Sequence, residues 1–357
     1  MSRIITCEQV SDGHPDKICD QIADAVVTDC LRNDRNSRVA IEALIKDNHI
    51  VIAGELTSRH NPDYRKLVDS VFERIGKNTL GYDVENLDIR IFVSRQSPDI
   101  AQGVDTGGAG DQGMVFGWAS NETVELLPMP FVLATKLLLK LEGYRKEKPG
   151  LLYADAKAQV SFDYDDWKII NFLCSTQTVT GADMKKVKAV VSRLMKEAAS
   201  EYALNTDFEI LVNPTGKFET GGPFADTGVT GRKLACDTYG GVGHIGGGAM
   251  SGKDATKVDR SGVYMARKIA RDIVRAGFAD KCELQIAYAI GVAEPVSVHV
   301  ECFGTERQEI GFIDDFVRDS YDLTPGGIIK SLGLLDVDFN KVSSYGRSGK
   351  GGMPWEK

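Results

Sequence analysis

The stretch VAIEALIKDNHIVIAGEL, Val39 to Leu56, alternates apolar and polar residues on either side of Asp47-Asn48. That period predicts two antiparallel strands joined by a tight turn. Upstream, Ile18, Ile22, Ala25, Val26 and Leu31 recur at helical spacing; downstream, a second helix is predicted at about Tyr64 to Ile75 and a short strand at Ile89 to Val93. The same order returns with a helix at Phe131 to Leu141, a hairpin Ala158 to Ser175 turning at Asp165-Asp166, a helix Met184 to Tyr202 and a strand Phe208 to Val212. It returns again with helix Val258 to Ala276, hairpin Cys282 to Phe303 and a helix near Ile313 to Tyr321. Units starting near positions 14, 129 and 258 are domain-sized. The expectation is an α+β chain of three similar units, each with helices on one face of a mixed or mostly antiparallel sheet. The expected domains are 1–100, 109–219 and 221–357, with segments free to cross between them.

The composition admits such cores. Of 357 residues, 42% are apolar and 26% charged, with only 11 prolines, which excludes disorder as the main state. Lys plus Arg number 43 against 51 Asp plus Glu, a formal charge of −8, so a coat on duplex nucleic acid is not expected. The longest apolar run, Phe131 to Leu141, is interrupted by Lys136 and Lys140, and the N-terminus lacks a signal-peptide core, so a soluble cytoplasmic protein is expected. Seven cysteines form no CxxC pair and lie in apolar patterns, which predicts buried thiols.

Glycine gathers where charge gathers. Gly240 to Arg260 reads GGVGHIGGGAMSGKDATKVDR. Glycines admit backbone N–H groups to an anion, the helix start adds positive dipole, Lys253 and Lys257 neutralise oxygens, and Asp254 or Asp259 can hold Mg²⁺. Alone, the segment is equally well a flexible loop before a solvated helix. Gly247 to Lys253 also fits GxxxxGK, but Asp254 stands where a P-loop needs Ser or Thr, and the helix leads into a hairpin rather than a parallel crossover. Ser11 to Lys17, SDGHPDK, opens the first helix, with Pro15 at its start and Ser11 or Asp12 as the simplest N-cap. Gly107 to Gly113, Asp155 to Lys157, Asn213 to Phe218 and Asp226 to Lys233 each pass for turns. Taken together, Lys157, Arg232, Lys233, Lys253 and Lys257 with nearby acids are the distribution expected around a magnesium polyphosphate, provided folding brings them together.

GHPDK at Gly13 to Lys17, GAGDQG at Gly108 to Gly113, DAK at Asp155 to Lys157, the GGP…TGRK segment at Gly221 to Lys233 and GGGAMSGKDATKVDRS at Gly246 to Ser261 closely resemble S-adenosylmethionine synthetase, or methionine adenosyltransferase. The resemblance runs from Cys7 to Lys357. It implies three pseudo-symmetric α+β domains and synthesis of S-adenosylmethionine from ATP and L-methionine, the sulfur attacking ribose C5′ and the triphosphate then being cleaved to diphosphate and phosphate.

Carried over residue by residue, it implies His14, Lys157, Arg232 and Lys253 as catalytic residues. Asp155, Lys217, Phe218, Asp226, Lys233 and backbone near Ala249 join these four at ATP, and Glu55, Gln96, Asp111, Asp226 and Lys257 meet methionine. Two Mg²⁺ are implied, with Asp16 and Asp259 as ligands, and a K⁺ with Glu42. The implied assembly is a homodimer or homotetramer with the site between two subunits, His14, Lys157, Arg232 and Lys233 facing Asp16, Asp226, Lys253 and Lys257 across the interface. No nucleic acid or membrane partner is implied. The alternatives are a non-catalytic nucleotide-binding or regulatory relative, and a triphosphatase that has kept the phosphate clamp alone.

Some positions depart from the family pattern. The loop Gln96 to Asp111 is shorter than in typical bacterial members, an expectation of altered product release. His244 lies one position early before Ile245, Met250 and Ala255 replace Phe and Pro, and the chain ends at PWEK, where relatives commonly continue.

Overall fold

A computed structural model describes residues 3–95 and 107–357. Three helices begin at Pro15, Met129 and Val258, each opening one of the predicted units. The first unit contains α1 (Pro15–Asn33), β2 (Arg38–Lys46), β3 (His49–Thr57), α2 (Tyr64–Ile75) and β4 (Asp88–Ser94). The second contains α3 (Met129–Glu147), β6 (Leu152–Asp163), β7 (Lys168–Thr178), α4 (Met184–Ser200) and β8 (Glu209–Val212). The third contains α5 (Val258–Arg275), β10 (Lys281–Tyr288), β11 (Ser297–Glu301), α6 (Ile310–Ser320) and α7 (Pro325–Ser331). Each unit is preceded by one further strand: β1 (Ile4–Val10), β5 (Gly113–Ser120) and β9 (Gly228–Val229).

Those leading strands do not join the unit they precede. β1 pairs antiparallel with β6 of the second unit, β5 with β10 of the third and β9 with β2 of the first, so the three units exchange strands in a closed cycle. In the first two units the hairpin is completed on its other edge by a parallel strand, β4 on β3 and β8 on β7. The sheet orders are β4-β3-β2-β9, β8-β7-β6-β1 and β11-β10-β5.

One apolar cluster joins the first and third units through residues such as Ile18, Ile22, Ile269 and Ile273, and a second fills the central unit around Leu137, Phe162, Phe172 and Val191. All seven cysteines are buried free thiols, as their apolar setting predicts.

Two local readings are corrected. Neither Ser11 nor Asp12 caps α1, because both are committed to partners outside the first unit: Ser11 Oγ donates to Ala154 O at 2.6 Å, and Asp12 accepts from Arg145 at 2.8 Å and from the Tyr345 hydroxyl at 2.9 Å. His14 is the cap. The helix expected to stop at Leu141 runs on to Glu147. The apolar pattern ends there, but the buried Arg145 guanidinium, held by Asp12 and by Ile75 O at 3.0 Å, packs the last turn against its neighbours.

Candidate active site

Pro15 occupies the first turn of α1, where its missing N–H costs nothing. His14 Nδ1 accepts the Asp16 N–H at 3.2 Å, which leaves the ring proton of a neutral imidazole on Nε2. Burial first, then Lys233 and Lys157, push the His14 pKa down to about 3, so the ring is neutral at physiological pH and its 3.9 Å approach to Asp16 is not an ion pair.

Three buried aspartates follow on one face of α1 at steps of four. Asp16 accepts from Val229 N at 2.9 Å and pairs with Lys233 Nζ at 2.6 Å. Asp20 accepts from Gly231 N at 2.9 Å. Asp24 accepts from Gly252 N at 3.0 Å and from Arg260 at 2.6 Å. These carboxylates, spaced so as to share a face, pin both Gly-rich loops to one helix. Lys17 is buried in the core, between Asp20 at 2.8 Å and Asp237 at 2.6 Å.

Beside His14 opens a groove of about 320 Å³ lined by Asp155, Lys157, Lys217, Phe218 and Asp226. β6 brings Asp155 and Lys157 there, and the turn after β8 brings Lys217 and Phe218. Asp155 accepts from Gly222 N at 2.8 Å, yet burial outweighs that bond and lifts its pKa to about 6. Lys217 is exposed, 3.1 Å from Glu219.

A second cluster forms at the start of α5. Lys253 Nζ lies 2.6 Å from Asp259, and Lys257 Nζ lies 2.6 Å from Asp254, which also accepts from Val39 N at 2.6 Å. Glu42 faces Lys253 from β2. Desolvation raises its pKa against the pull of Lys253, with Asp20 and Glu55 adding to the rise and Thr230 opposing it. The two clusters meet at Gly231: with φ of +75°, it brings the Arg232-Lys233 turn so near the glycine loop that a Cβ there would lie 2.5 Å from the Ala249 methyl. Glu283 ties down the loop's other end, accepting from His244 N at 2.8 Å and meeting His244 Nδ1 at 2.6 Å.

Folding therefore collects His14, Asp16, Asp155, Lys157, Phe218, Asp226, Arg232 and Lys233 on one side and Glu42, Glu55, Lys253, Lys257 and Asp259 on the other, joined at Gly231 and Ala249. Within one chain Asp16 pairs with Lys233 and Asp226 lines the groove with His14 and Lys157, because β9 lays the 228–233 turn directly on α1. Asp111 is exposed and, among the described residues, accepts from Gln112 N. Gln96, with most of the Gln96 to Asp111 loop, lies outside the described residues. Pattern reading missed Asp20, Asp24 and Glu283; the signal for the first two was the four-residue spacing of acids in α1.

Among the described residues no three His, Cys, Asp or Glu side chains gather as a metal cage. Asp16 and Asp259 instead each present one carboxylate beside a lysine. Mg²⁺ typically takes one or two carboxylates, keeping water and substrate phosphates as its other ligands, so this donor set fits an ion that arrives on a polyphosphate. No helix of the described residues is long and apolar enough to cross a membrane.

Comparison with known proteins gives the chain its relatives. Residues 2–98 match the S-adenosylmethionine synthetase N-terminal domain, 106–218 its central domain and 220–357 its C-terminal domain. The S-adenosylmethionine synthase of Mesoplasma florum is 44% identical, covering 100% of this chain and 98% of its own. Those of Mycoplasma capricolum, 42% identical, and Akkermansia muciniphila, 44% identical, each cover 99% of this chain and 95% of their own. With three domains matched in order and relatives aligned end to end, the chain belongs to the S-adenosylmethionine synthetase family.

Proposed function

We propose that the chain makes S-adenosylmethionine from ATP and L-methionine. The observation that carries this reading is the meeting, in an acidic protein, of two loops rich in cations around the neutral His14 and a groove of nucleotide-binding character. One displacement at ribose C5′ needs no enzyme nucleophile; it needs two oriented substrates and support for a highly charged leaving group. Phe218 stacks on adenine and Asp155 accepts a hydrogen bond from the ribose. Glu55, Gln96, Asp111, Asp226 and Lys257 hold methionine, carboxylates to its ammonium and Lys257 to its carboxylate.

As the C5′–O bond breaks, charge grows on the triphosphate. Lys157, Arg232, Lys233 and Lys253 neutralise it, and His14 donates its Nε2–H to the departing oxygen without first having to gain a proton. Asp16 and Asp259 would hold two Mg²⁺ ions, which when bound supply further neutralisation of the phosphates, and Glu42 would hold K⁺. Lys233 exchanges Asp16 for phosphate oxygens when the nucleotide arrives. The triphosphate is then hydrolysed to diphosphate and phosphate.

The open face of the first sheet, where Phe92 is 64% and Leu44 38% exposed near Glu42 and Glu55, supports a homodimer or homotetramer with the site between subunits. Cytoplasmic residence is part of the same reading. Mass spectrometry of the protein with ATP, L-methionine, Mg²⁺ and K⁺ tests it. Methionine-dependent S-adenosylmethionine, diphosphate and phosphate are expected. Phosphate release without S-adenosylmethionine would show a phosphohydrolase instead.

A further inference from the structure

The third unit lacks an element that its two counterparts have. In the first, the chain returns from α2 to lay β4 parallel on β3; in the second, it returns from α4 to lay β8 parallel on β7. In the third, the chain leaves α6 through Tyr321 to Thr324 into α7, and among the described residues no strand pairs with the far edge of β11. Where that strand would lie is a groove of about 780 Å³ between β11 and α6. Its apolar surface comes from Val298, Ile310 and Val317, and its charge from Glu294, Asp314 and Asp322. Val298 and Ile310 are 40% and 47% exposed. The cation at the rim, Arg318, is engaged by Asp315 and Asp319 on its own helix.

We propose that the β11 edge and this groove seat an extended basic peptide from a partner protein, which adds to the third sheet as a fourth strand parallel to β11. An open edge offers a row of unpaired backbone donors and acceptors, and a peptide that augments it gains main-chain hydrogen bonds while alternate side chains fill the pockets beneath. The five residues of β11 set the length. Direction follows from the pseudo-symmetry, since both existing fourth strands run parallel to their neighbour. Sign follows from the three carboxylates, for which no lysine or arginine of the described residues supplies an ion pair.

The probe is a fluorescein-labelled peptide, Lys-Ile-Arg-Ile-Phe-Val-Lys, which keeps the Ile89–Val93 core of β4 between lysines. Anisotropy with the full-length protein at low salt should show saturable binding, and hydrogen exchange should show new protection over residues 295–301. Proline at the peptide's central isoleucine, glutamates in place of its basic residues, and Glu294→Lys or Asp314→Lys in the protein should each weaken binding about tenfold or more. Absence of binding, or binding indifferent to the proline and to both charge reversals, overturns the proposal. So does β11 already as protected as β10 in the free oligomer, which would mean that a second copy covers the edge.

Discussion

Gly248→Ala separates the chemistry of the glycine loop from its stability. A methyl at position 248 would lie 2.0 Å from Asp259 Cγ and 2.1 and 2.3 Å from its two oxygens, whereas ordinary contact begins at 3.4 Å. The carboxylate must therefore retreat by about 1.4 Å, the gap between those two distances. It now lies 2.6 Å from Lys253, so the retreat breaks that pair and moves both groups from the leaving triphosphate. Because the obstacle is the end of a side chain rather than backbone, the fold loses little, under about 1 kcal/mol. A displacement of that size in the reacting geometry costs about 100-fold in kcat. Steady-state S-adenosylmethionine formation at varied ATP and Mg²⁺, beside a thermal melt, reads both quantities. Gly247→Ala is the control, since a Cβ there meets nothing within 4 Å, and it should retain wild-type turnover. Wild-type kcat and Mg²⁺ dependence in Gly248→Ala would refute the reasoning, as would a lost activity fully matched by a fallen melting temperature.

Lys17→Met should destabilise the chain by about 3–5 kcal/mol, seen as a lowered melting temperature, because Asp20 and Asp237 would be left as buried carboxylates without their shared cation; an unchanged melt would sink the assignment. Arg232→Ala and Lys253→Ala should each lower kcat about 100-fold with little change in the methionine KM, since they act on charge that develops in the transition state; a wild-type kcat in either removes it from the clamp. Asp155, lifted to about 6 by burial, is an anion at neutral pH and becomes protonated as pH falls through that value. Loss of the acceptor should raise the ATP KM below about pH 6. Asp155→Asn should show a high ATP KM with no such step, and an identical pH profile in the two proteins would contradict the role.

What was legible in the sequence followed the period of burial. The helix starts at Pro15, Met129 and Val258 and the hairpins around Asp47-Asn48 and Asp165-Asp166 could be read because apolar spacing switches between helix and strand there. The end of α3 could not, since its last turn is buried through the charged Arg145. Strand exchange was equally hidden: the alternation that makes β1 or β5 a strand does not say which sheet receives it. The cationic loops stood out by combining glycine, lysine and acid. The aspartates that hold those loops did not, because charge inside a helix pattern ordinarily marks a solvated face, and here Asp16, Asp20 and Asp24 are all 0% exposed.

Strand exchange and the acidic face of α1 answer one structural problem. β9 closes the cycle of units, and at two residues it is far shorter than β1 or β5. So short a strand contributes few ladder bonds, yet Arg232 and Lys233 follow it within four residues. The deficit is made up from two sides. Thr230 Oγ accepts from Ala43 N at 2.7 Å, which extends the hold of β2 past the end of the strand. Asp16 and Asp20 take the N–H groups of Val229 and Gly231. Each is a charge-assisted bond to backbone, roughly twice the strength of a neutral one, and each is placed where the cations need fixing rather than where the sheet needs extending. One rung further, Asp24 holds Gly252, the residue before Lys253. A single helix thus sets the position of cations from loops about twenty residues apart, and the same helix presents His14 at its N-terminus. The cluster's geometry depends on α1 remaining straight and anionic along that face, which is why its acids are buried and its cap is a histidine held by the backbone of the first of them.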